Sequence, residues 1–347
     1  MKIKEIASFN PKGKKPNDYI NYVDTSSVED GKLVGLQTLS KDIPSRAQRV
    51  IEKNDILISS VRPILKHNFF VGQSIQHGVA STGFIQIRVN NSNVLPRFLY
   101  YYLTVETKTQ QYQTIAETSQ STFPSFNKDV IEEMEFPNIS LETQQHIVDI
   151  LGTLDENIEN NNKIIVELES ILSSKYHELV ARNTTEIPLS NCIELYTGKL
   201  DANAAEENGK YPFFTCGITP EKINTYAFDC EAIIIAGNGN FNVKYCNGKF
   251  NAYQRTYVIK ANKYFAIILQ HYKGKIKEWS SSARGSVIKF LTKSMLIDDT
   301  IKISNNYAKN EEYESFSKTI QEKIKNLLET NAKLNQLKQL YLKKFFG

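Results

Sequence analysis

The sequence has few of the features that build disulfide frameworks, metal sites or membrane spans. No apolar stretch approaches the roughly 18 residues that a membrane helix requires, and the start, Met1-Lys-Ile-Lys-Glu-Ile, has no apolar signal region. There is no CxxC pair and no histidine at metal-ligand spacing beside a cysteine. We therefore expect a cytoplasmic protein that binds no metal and spans no membrane. We also expect reduced, structural cysteines at all four positions: Cys192, Cys216, Cys230 and Cys246.

Motifs of the common catalytic sites are also missing. No P-loop of the form GxxxxGK[ST] occurs. The segment Asn10-Pro11-Lys12-Gly13 does not fit the catalytic loop of a DNA methyltransferase. The pair Glu106 and Lys108 has no upstream aspartate that would complete a nuclease site. We expect this chain not to be an enzyme, and a methyltransferase or nuclease acting alone is the weaker alternative.

The net charge is too small to indicate a nucleic-acid partner by itself. The 42 Lys and Arg residues against 38 Asp and Glu give +4. The distribution is more informative, because acidic residues crowd the segments with helical periodicity while basic clusters fall in the segments predicted to be non-helical. Those clusters are Lys12, Lys14 and Lys15; Arg46 and Arg49; Arg62 and Lys66; and Lys273, Lys275 and Lys277.

The hydrophobic period changes after Pro137. Residues 1–139 alternate short β-branched and aromatic runs with Gly, Pro, Asn and Ser, which predicts a mixed α/β domain. Ser140 then offers a helix cap. Spacing of 4-3-4-3, with Lys175 filling one place, predicts a coiled-coil helix over 140–186 that Pro188 stops. Its seam consists of Ile147, Leu151, Leu154, Ile158, Asn161, Ile165, Leu168 and Leu172.

The rest of the chain repeats this plan in the same order. Ile6-Ala-Ser-Phe is echoed by Ile193-Glu-Leu-Tyr, and Asp55-Ile-Leu-Ile by Glu231-Ala-Ile-Ile. The helix phrase from Ile158 matches that from Leu328, an offset of 170 residues, which aligns Asn161 with Asn331. We therefore predict a second α/β domain over 187–306 and a second long helix over 307–347. Its seam includes Ile324, Leu327, Asn331, Leu334 and Tyr341.

The predicted fold class is α+β, with two α/β domains in tandem repeat, each followed by a long helix. A heptad stripe can also be core packing inside one domain, but two long helices at equivalent places in a repeat favour packing on each other. We expect an antiparallel coiled coil, registered by the two seam asparagines, with an exposed side left for partner helices.

The phrase from Leu141 to Ile164, Leu-Glu-Thr-Gln-Gln-His-Ile-Val-Asp-Ile-Leu-Gly-Thr-Leu-Asp-Glu-Asn-Ile-Glu-Asn-Asn-Asn-Lys-Ile, resembles the type I restriction-modification DNA specificity subunits. Thr143-Gln144 stands where Glu-Gln is usual in that family, and Leu154, Asp155 and the run Asn160 to Asn162 fill their usual places. The second copy lacks the Leu-Glu-x-Gln-Gln opening. The resemblance covers nearly the whole chain.

The resemblance implies that residues 1–139 and 187–306 are target recognition domains, each reading one half of a bipartite double-stranded DNA site. It implies that the helices set the spacer and dock two methyltransferase subunits, with restriction subunits added for cleavage. It implies no cofactor in this chain and S-adenosylmethionine on the methyltransferase partner. A coiled-coil scaffold for protein interaction, without DNA readout, is the alternative.

Candidate DNA contacts are loop residues with planar bidentate or phosphate-binding side chains. Each also has a plainer interpretation, since Asn-Gly steps form tight turns and surface lysines are commonly only solvated. In the first domain they are Lys12, Lys14, Lys15, Arg46, Arg49, Ser59, Ser60, Arg62, Lys66, His67, Asn68, Ser121 and Thr122. In the second they are Asn238, Asn240, Asn242, Lys244, Gln254, Arg255, Lys275, Ser282 and Arg284.

Overall fold

The computed structural model describes residues 1–29, 31–118, 124–282 and 290–347. The chain divides into two compact units. Unit 1 comprises Met1–Glu159 and Ala332–Gly347, and unit 2 comprises Asn160–Asn331. Each long helix therefore contributes one part to unit 1 and the other part to unit 2.

The helices of the described ranges are α1 Pro96–Thr104, α2 Glu106–Glu117, α3 Asp129–Glu132, α4 Leu141–Leu179, α5 Phe265–Ser282, α6 Lys293–Ile297 and α7 Tyr307–Phe346. The strands of unit 1 are β1 Ala7–Phe9, β2 Ile20–Val23, β3 Val28–Glu29, β4 Lys32–Leu33, β5 Gln37–Leu39, β6 Ala47–Val50, β7 Ile56–Ser59, β8 Phe69–Phe70, β9 Gly78–Ser81 and β10 Phe84–Val89. The strands of unit 2 are β11 Thr184–Pro188, β12 Ile193–Thr197, β13 Tyr211–Phe214, β14 Glu221–Ile223, β15 Phe228–Ala236, β16 Val243–Ala252, β17 Thr256–Ala261 and β18 Thr300–Ser304.

Unit 1 contains two four-stranded sheets, ordered β1-β10-β7-β8 and β5-β2-β9-β6. The β7 run of apolar residues is buried on both faces, and β7 pairs antiparallel with β10, with Ile56 opposite Ile87. β2 runs parallel to β9. The aromatic face of α1 and the first turns of α4 pack on the first sheet, where Phe98, Ile147 and Leu151 join one core. Leu342 of α7 belongs to the same core.

Unit 2 repeats this topology with longer strands. Its six-stranded sheet is ordered β12-β17-β15-β16-β13-β14, so β12, β17, β15 and β16 correspond to β1, β10, β7 and β8. β13 runs parallel to the end of β16 as β2 does to β9. The core under this sheet joins Ile233, Ile259 and Ile267 to Tyr176 of α4 and Tyr313 of α7. The tandem α+β repeat predicted from the sequence is confirmed.

The long helices run antiparallel within each unit. In unit 2, Asn161 Nδ2 donates to Asn331 Oδ1 at 2.8 Å, and Asn331 Nδ2 donates to Asn162 Oδ1 at 2.9 Å. Tyr313 donates to the carbonyl of Leu172 at 3.1 Å. In unit 1, Lys338 contacts Asp155 at 2.6 Å. Residues further along α4 contact residues of α7 with lower numbers, as expected for antiparallel helices. The predicted register of the two seam asparagines is confirmed.

The first long helix is shorter than predicted. It ends at Leu179 rather than at residue 186, because residues 184–188 pair with β18 as strand β11. Lys175 does not fill its predicted seam place, since its side chain is exposed and lies over the ring of Phe316. Tyr176 is buried there instead. Ile147, Leu151, Leu154, Ile158 and Leu172 are buried as expected for a seam.

Within the part of the chain that the structure describes, none of the helices combines the length and apolar character needed to cross a bilayer. In the same ranges no group of three or more His, Cys, Asp or Glu side chains is placed to hold a metal ion.

Candidate nucleic-acid interface

Two surface turns occupy equivalent places in the two units. We call residues 60–66 turn 1 and residues 237–242 turn 2. The amide of Ser60 donates to the carbonyl of Gly83, and the amide of Gly237 donates to the carbonyl of Arg255, both at 2.9 Å. The carbonyls of Ser60 and Gly237 accept from Phe126 and Leu291 at 3.1 and 2.8 Å. These matching hydrogen bonds place the two turns at equivalent positions of the repeat.

Turn 1 is held in an unusual backbone conformation. Arg62 and Lys66 both have left-handed backbones, with φ of 47° and 53°, on either side of a 3-10 turn over Pro63–Leu65. Gln113 of α2 accepts from the amide of Ile64 at 3.1 Å, and Glu106 pairs with Lys66 at 2.6 Å. A non-glycine residue in this region costs on the order of 1 kcal/mol or more. The surrounding contacts hold the turn against that cost.

Turn 1 projects apolar side chains between its two cations. Ile64 and Leu65 are 48% and 50% exposed, and the side chain of Arg62 is exposed as well. The sequence pattern indicates the basic residues of this turn but not its apolar pair, because an isolated Ile-Leu step normally indicates a core position.

Some predicted contacts of unit 1 have structural roles instead. Ser59 and Asn68 are buried, and Asn68 Oδ1 accepts from the Ser59 amide at 3.0 Å. The hydroxyl of Ser60 donates to Gly83, and the ring of His67 contacts the carbonyl of Val28. The prediction that Ser59 and Asn68 face DNA is wrong, because their side chains complete the hydrogen bonding at the end of β7.

The predicted basic contacts outside turn 1 differ in exposure and in ion pairing. Lys12, Lys14 and Lys15 are exposed in the loop between β1 and β2, with no ion pair in the described ranges. Arg46 is exposed and pairs with Asp24 at 3.2 Å. Arg49 is half-buried, and burial lowers the pKa of its guanidinium. Its Nε lacks a hydrogen-bond partner among the described residues.

The three asparagines of turn 2 differ in their contacts and exposure. Asn242 Nδ2 donates to the carbonyls of Cys216 and Asn240 at 3.0 and 2.9 Å, so its amide shapes the turn. Asn238 forms a bridge with Phe290, as Val61 does with Ser125. Asn240 is exposed and follows Gly239, whose φ of 71° matches the left-handed Arg62. Asn240 is therefore the turn 2 amide that faces outward.

Three further segments lie beside turn 2. Arg255 is exposed, while its carbonyl accepts from Gly237 and from the Cys216 thiol. Gln254 is also exposed, and its amide donates to Asp201 at 2.7 Å. Burial lowers the pKa of Lys244 to about 8. Ile218, an apolar residue without a sequence signal for a surface role, is 76% exposed in the turn that follows Cys216.

Lys275 does not lie in a loop. Like Lys273 and Lys277, it belongs to helix α5, so the prediction that this basic cluster is non-helical is wrong. Lys275 pairs with Glu278 at 3.2 Å and with Asp299 at 3.4 Å, which offsets its charge. Ser282 ends α5, and its side chain lies outside what the structure describes. Ser121, Thr122 and Arg284 lie outside the described residues.

The long helices keep an apolar surface away from their seam. In unit 2 the exposed apolar residues of the helices include Ile164, Ile171 and Leu328, and in unit 1 they include Leu337 and Leu340. Residues 164 and 171 are seven apart and lie on one face of α4. The predicted seam residues Ile165, Leu168, Leu327, Leu334 and Tyr341 are only partly buried. Surface therefore remains on both helices for contact with another molecule.

The family model and the curated relatives that match this chain point to one family. Residues 1–170 match the type I restriction modification DNA specificity domain. The type I restriction enzyme EcoDI specificity subunit of Escherichia coli is 40% identical over 167 residues, which are 46% of this chain and 35% of that protein. The HindI specificity subunit of Haemophilus influenzae is 34% identical over 236 residues, 64% of this chain and 51% of that protein.

The chain thus spans about half or less of the length of these relatives. A crystal structure of the type I restriction-modification system S subunit from M. genitalium covers 100% of this chain and 95% of its own, with a TM-score of 0.60 at 16% identity. That likeness shows a shared fold. The resemblance inferred from the Leu141 phrase is confirmed.

Proposed function

Because residues 1–170 belong to the type I restriction modification DNA specificity domain family, we propose that this chain is the sequence-reading subunit of a type I restriction-modification complex. Each unit reads one half of a bipartite double-stranded DNA target. The observation that carries this proposal is the structural repeat. Two α/β modules of one topology present equivalent turns, and two similar readers on one chain suit a target with two halves.

The surfaces beside the turns have the chemistry that duplex recognition needs. Turn 1 has Arg62 and Lys66, and turn 2 has Asn240 with Arg255 beside it. Exposed lysines at Lys12, Lys14 and Lys15 add phosphate contacts in unit 1. Positively charged side chains of this kind hold the DNA phosphates, and amide side chains read base edges.

The long helices carry the other half of the proposed role. Their shared seam, with its asparagine pair, sets the number of unread base pairs between the half-sites. Their exposed apolar residues, including Ile164, Ile171 and Leu328, dock two methyltransferase subunits. Restriction subunits join the complex for cleavage.

This chain has no catalytic role in the proposed complex. S-adenosylmethionine binds to the methyltransferase partner, and the reaction occurs there. The chain itself needs no cofactor, and the complex works in the cytoplasm, where the host DNA lies.

Methylation-motif sequencing tests this proposal. A host carrying the cognate methyltransferase is sequenced with and without this chain. We expect a split motif with a fixed spacer that depends on the chain. If the same methylated motifs occur in both hosts, the reader function is wrong.

Salt dependence separates the reader from the scaffold alternative. Binding of the chain with its methyltransferase to duplex DNA should weaken steeply from 50 to 200 mM salt, by roughly a thousandfold if about six phosphates are contacted. A chain that only holds proteins together would not bind DNA itself. Removing it would then leave the salt dependence of DNA binding by the methyltransferase unchanged.

A further inference from the structure

We propose that turns 1 and 2 are the base-reading elements of the two units and that they read different chemistry. Turn 1 uses Ile64 and Leu65 to contact the methyl groups of thymine, and turn 2 uses Asn240 to read the edge of adenine. The inference rests on the proposed function, and it names the residues that determine specificity in each half-site.

The structural equivalence of the turns is the first support. Both are fixed at their bases by matching backbone hydrogen bonds, Ser60 with Gly83 and Gly237 with Arg255. Both contain a left-handed residue at the same place, Arg62 or Gly239. A turn that is fixed before binding loses little conformational entropy when it enters a groove, so its side chains can discriminate between bases.

The chemistry at the tips is the second support. In turn 1 the half-exposed Ile64 and Leu65 lie between Arg62 and Lys66. Apolar side chains in the major groove discriminate the C5-methyl of thymine, and the flanking cations suit the phosphates on either side. Lys66 is partly neutralised by Glu106 at 2.6 Å.

In turn 2 an amide side chain, that of Asn240, directly follows the left-handed Gly239. Asn240 is exposed. Only its backbone carbonyl takes part in the hydrogen bonds that shape the turn, and within the described ranges its side-chain Nδ2 and Oδ1 do not. An asparagine side chain can donate from Nδ2 to N7 of adenine and accept at Oδ1 from the N6 amino group, forming a bidentate pair. Asn242 cannot do so without breaking the turn, because its Nδ2 is bound to Cys216 and Asn240.

Selection from randomised DNA tests the assignment. The chain, purified with its methyltransferase, selects from duplexes in which both half-sites are randomised, and the bound pool is sequenced. We expect Asn240→Ala to lose about tenfold or more of the preference for adenine at one position of one half-site. The double variant Ile64→Ser, Leu65→Ser should lose a comparable preference for thymine in the other half-site.

Matched controls separate a local effect from damage to the fold. Asn326→Ala removes an exposed amide from α7, and Leu141→Ser removes a 43% exposed apolar side chain from the start of α4. Both should select the wild-type motif. The turn variants should unfold at the wild-type temperature, because their side chains are exposed.

The inference is overturned if either turn variant keeps the wild-type preference at every position, or if both variants change the same half-site. A wild-type pool without any bipartite motif would instead contradict the proposed function, and the inference would fail with it.

Discussion

Glu314 of α7 is a carboxylate held in a mostly buried place at the start of α5. Its oxygens accept from the amides of Ala266 and Ile267 at 2.9 to 3.2 Å. Burial raises the pKa of this carboxyl, and the two amides only partly offset that effect. The charged form of this side chain therefore costs unit 2 some stability.

Replacing Glu314 by Gln should remove this cost while one oxygen still accepts from the amides. A carboxyl with a raised pKa in the folded state binds its proton more tightly when folded. The wild type should therefore lose stability relative to Glu314→Gln as the pH rises from about 4.5, the ordinary value, through the raised pKa. Urea unfolding of both proteins between pH 4 and pH 8 measures this difference.

Glu312→Gln is the control, because Glu312 is exposed on the same helix. Its stability should follow that of the wild type across the range. A constant difference between wild type and Glu314→Gln at every pH would contradict the burial argument.

Asn331 is the most connected of the seam asparagines. It donates to Asn162 and accepts from Asn161, and it is 7% exposed. Asn331→Ala leaves both partners unpaired, which should lower the free energy of unfolding by about 1 to 2 kcal/mol. Asn326→Ala, at an exposed place on the same helix, should change it by less than about 0.5 kcal/mol. Equal effects in urea unfolding would show that the asparagine contacts add nothing.

At the scale of elements, the junctions between the long helices and the sheet domains repeat. Gln144 of α4 accepts from the amide of Leu95 at 2.9 Å and donates to the carbonyls of Asn93 and Ile139. Glu314 holds the start of α5 in the same way, and 144 plus 170 is 314, the offset that aligns the seam asparagines. Each long helix thus fixes the first turn of a helix that packs on its own sheet.

Gln144→Ala should destabilise unit 1 by about 2 to 4 kcal/mol, because Gln144 is fully buried and three backbone groups lose their partner. The neighbouring Gln145 is exposed and bonds only to Asp149 among the described residues. Gln145→Ala should therefore stay within about 0.5 kcal/mol of the wild type. Hydrogen exchange of the α1 amides measures the difference, and equal protection in the two variants would contradict this role of Gln144.

The repeat and the long helices could be predicted because they depend on periodicity, which survives in a single sequence. The Asn161 and Asn331 contact followed from one alignment offset. The end of α4 could not be predicted in this way, because residues 184–188 leave the helix only through pairing with β18, more than 100 residues later. Tertiary pairing overrides local pattern at such places.

The candidate interface was harder to predict, because residue type does not show which hydrogen bonds a side chain makes. Ser59, Asn68 and Asn242 are residue types that often contact DNA, but here they form hydrogen bonds within the protein that involve backbone groups. Asn240 has the same chemistry and faces outward. Ile64 and Ile218 carried no signal at all, since apolar residues are expected in the core.

At the scale of the whole molecule, we propose that the two units read the DNA and that the long helices set the spacing of the half-sites. If the helices set the spacer, lengthening both by one heptad should move the half-sites apart without changing either of them. The two extra heptads are inserted opposite each other in the antiparallel pair, after Leu168 in α4 and after Lys323 in α7. Each insertion lies about seven residues from the seam asparagine of its helix. A single insertion in α4 would instead shift Asn161 or Tyr176 out of register with α7.

The measurement is methylation-motif sequencing of a host that carries the methyltransferase and the paired insertion. Seven residues add about 10 Å of helix, which corresponds to about three base pairs at 3.4 Å each. We predict both half-sites unchanged and a spacer about three base pairs longer. Methylation of the original motif with its original spacer would contradict the account, because the helices would then only pack.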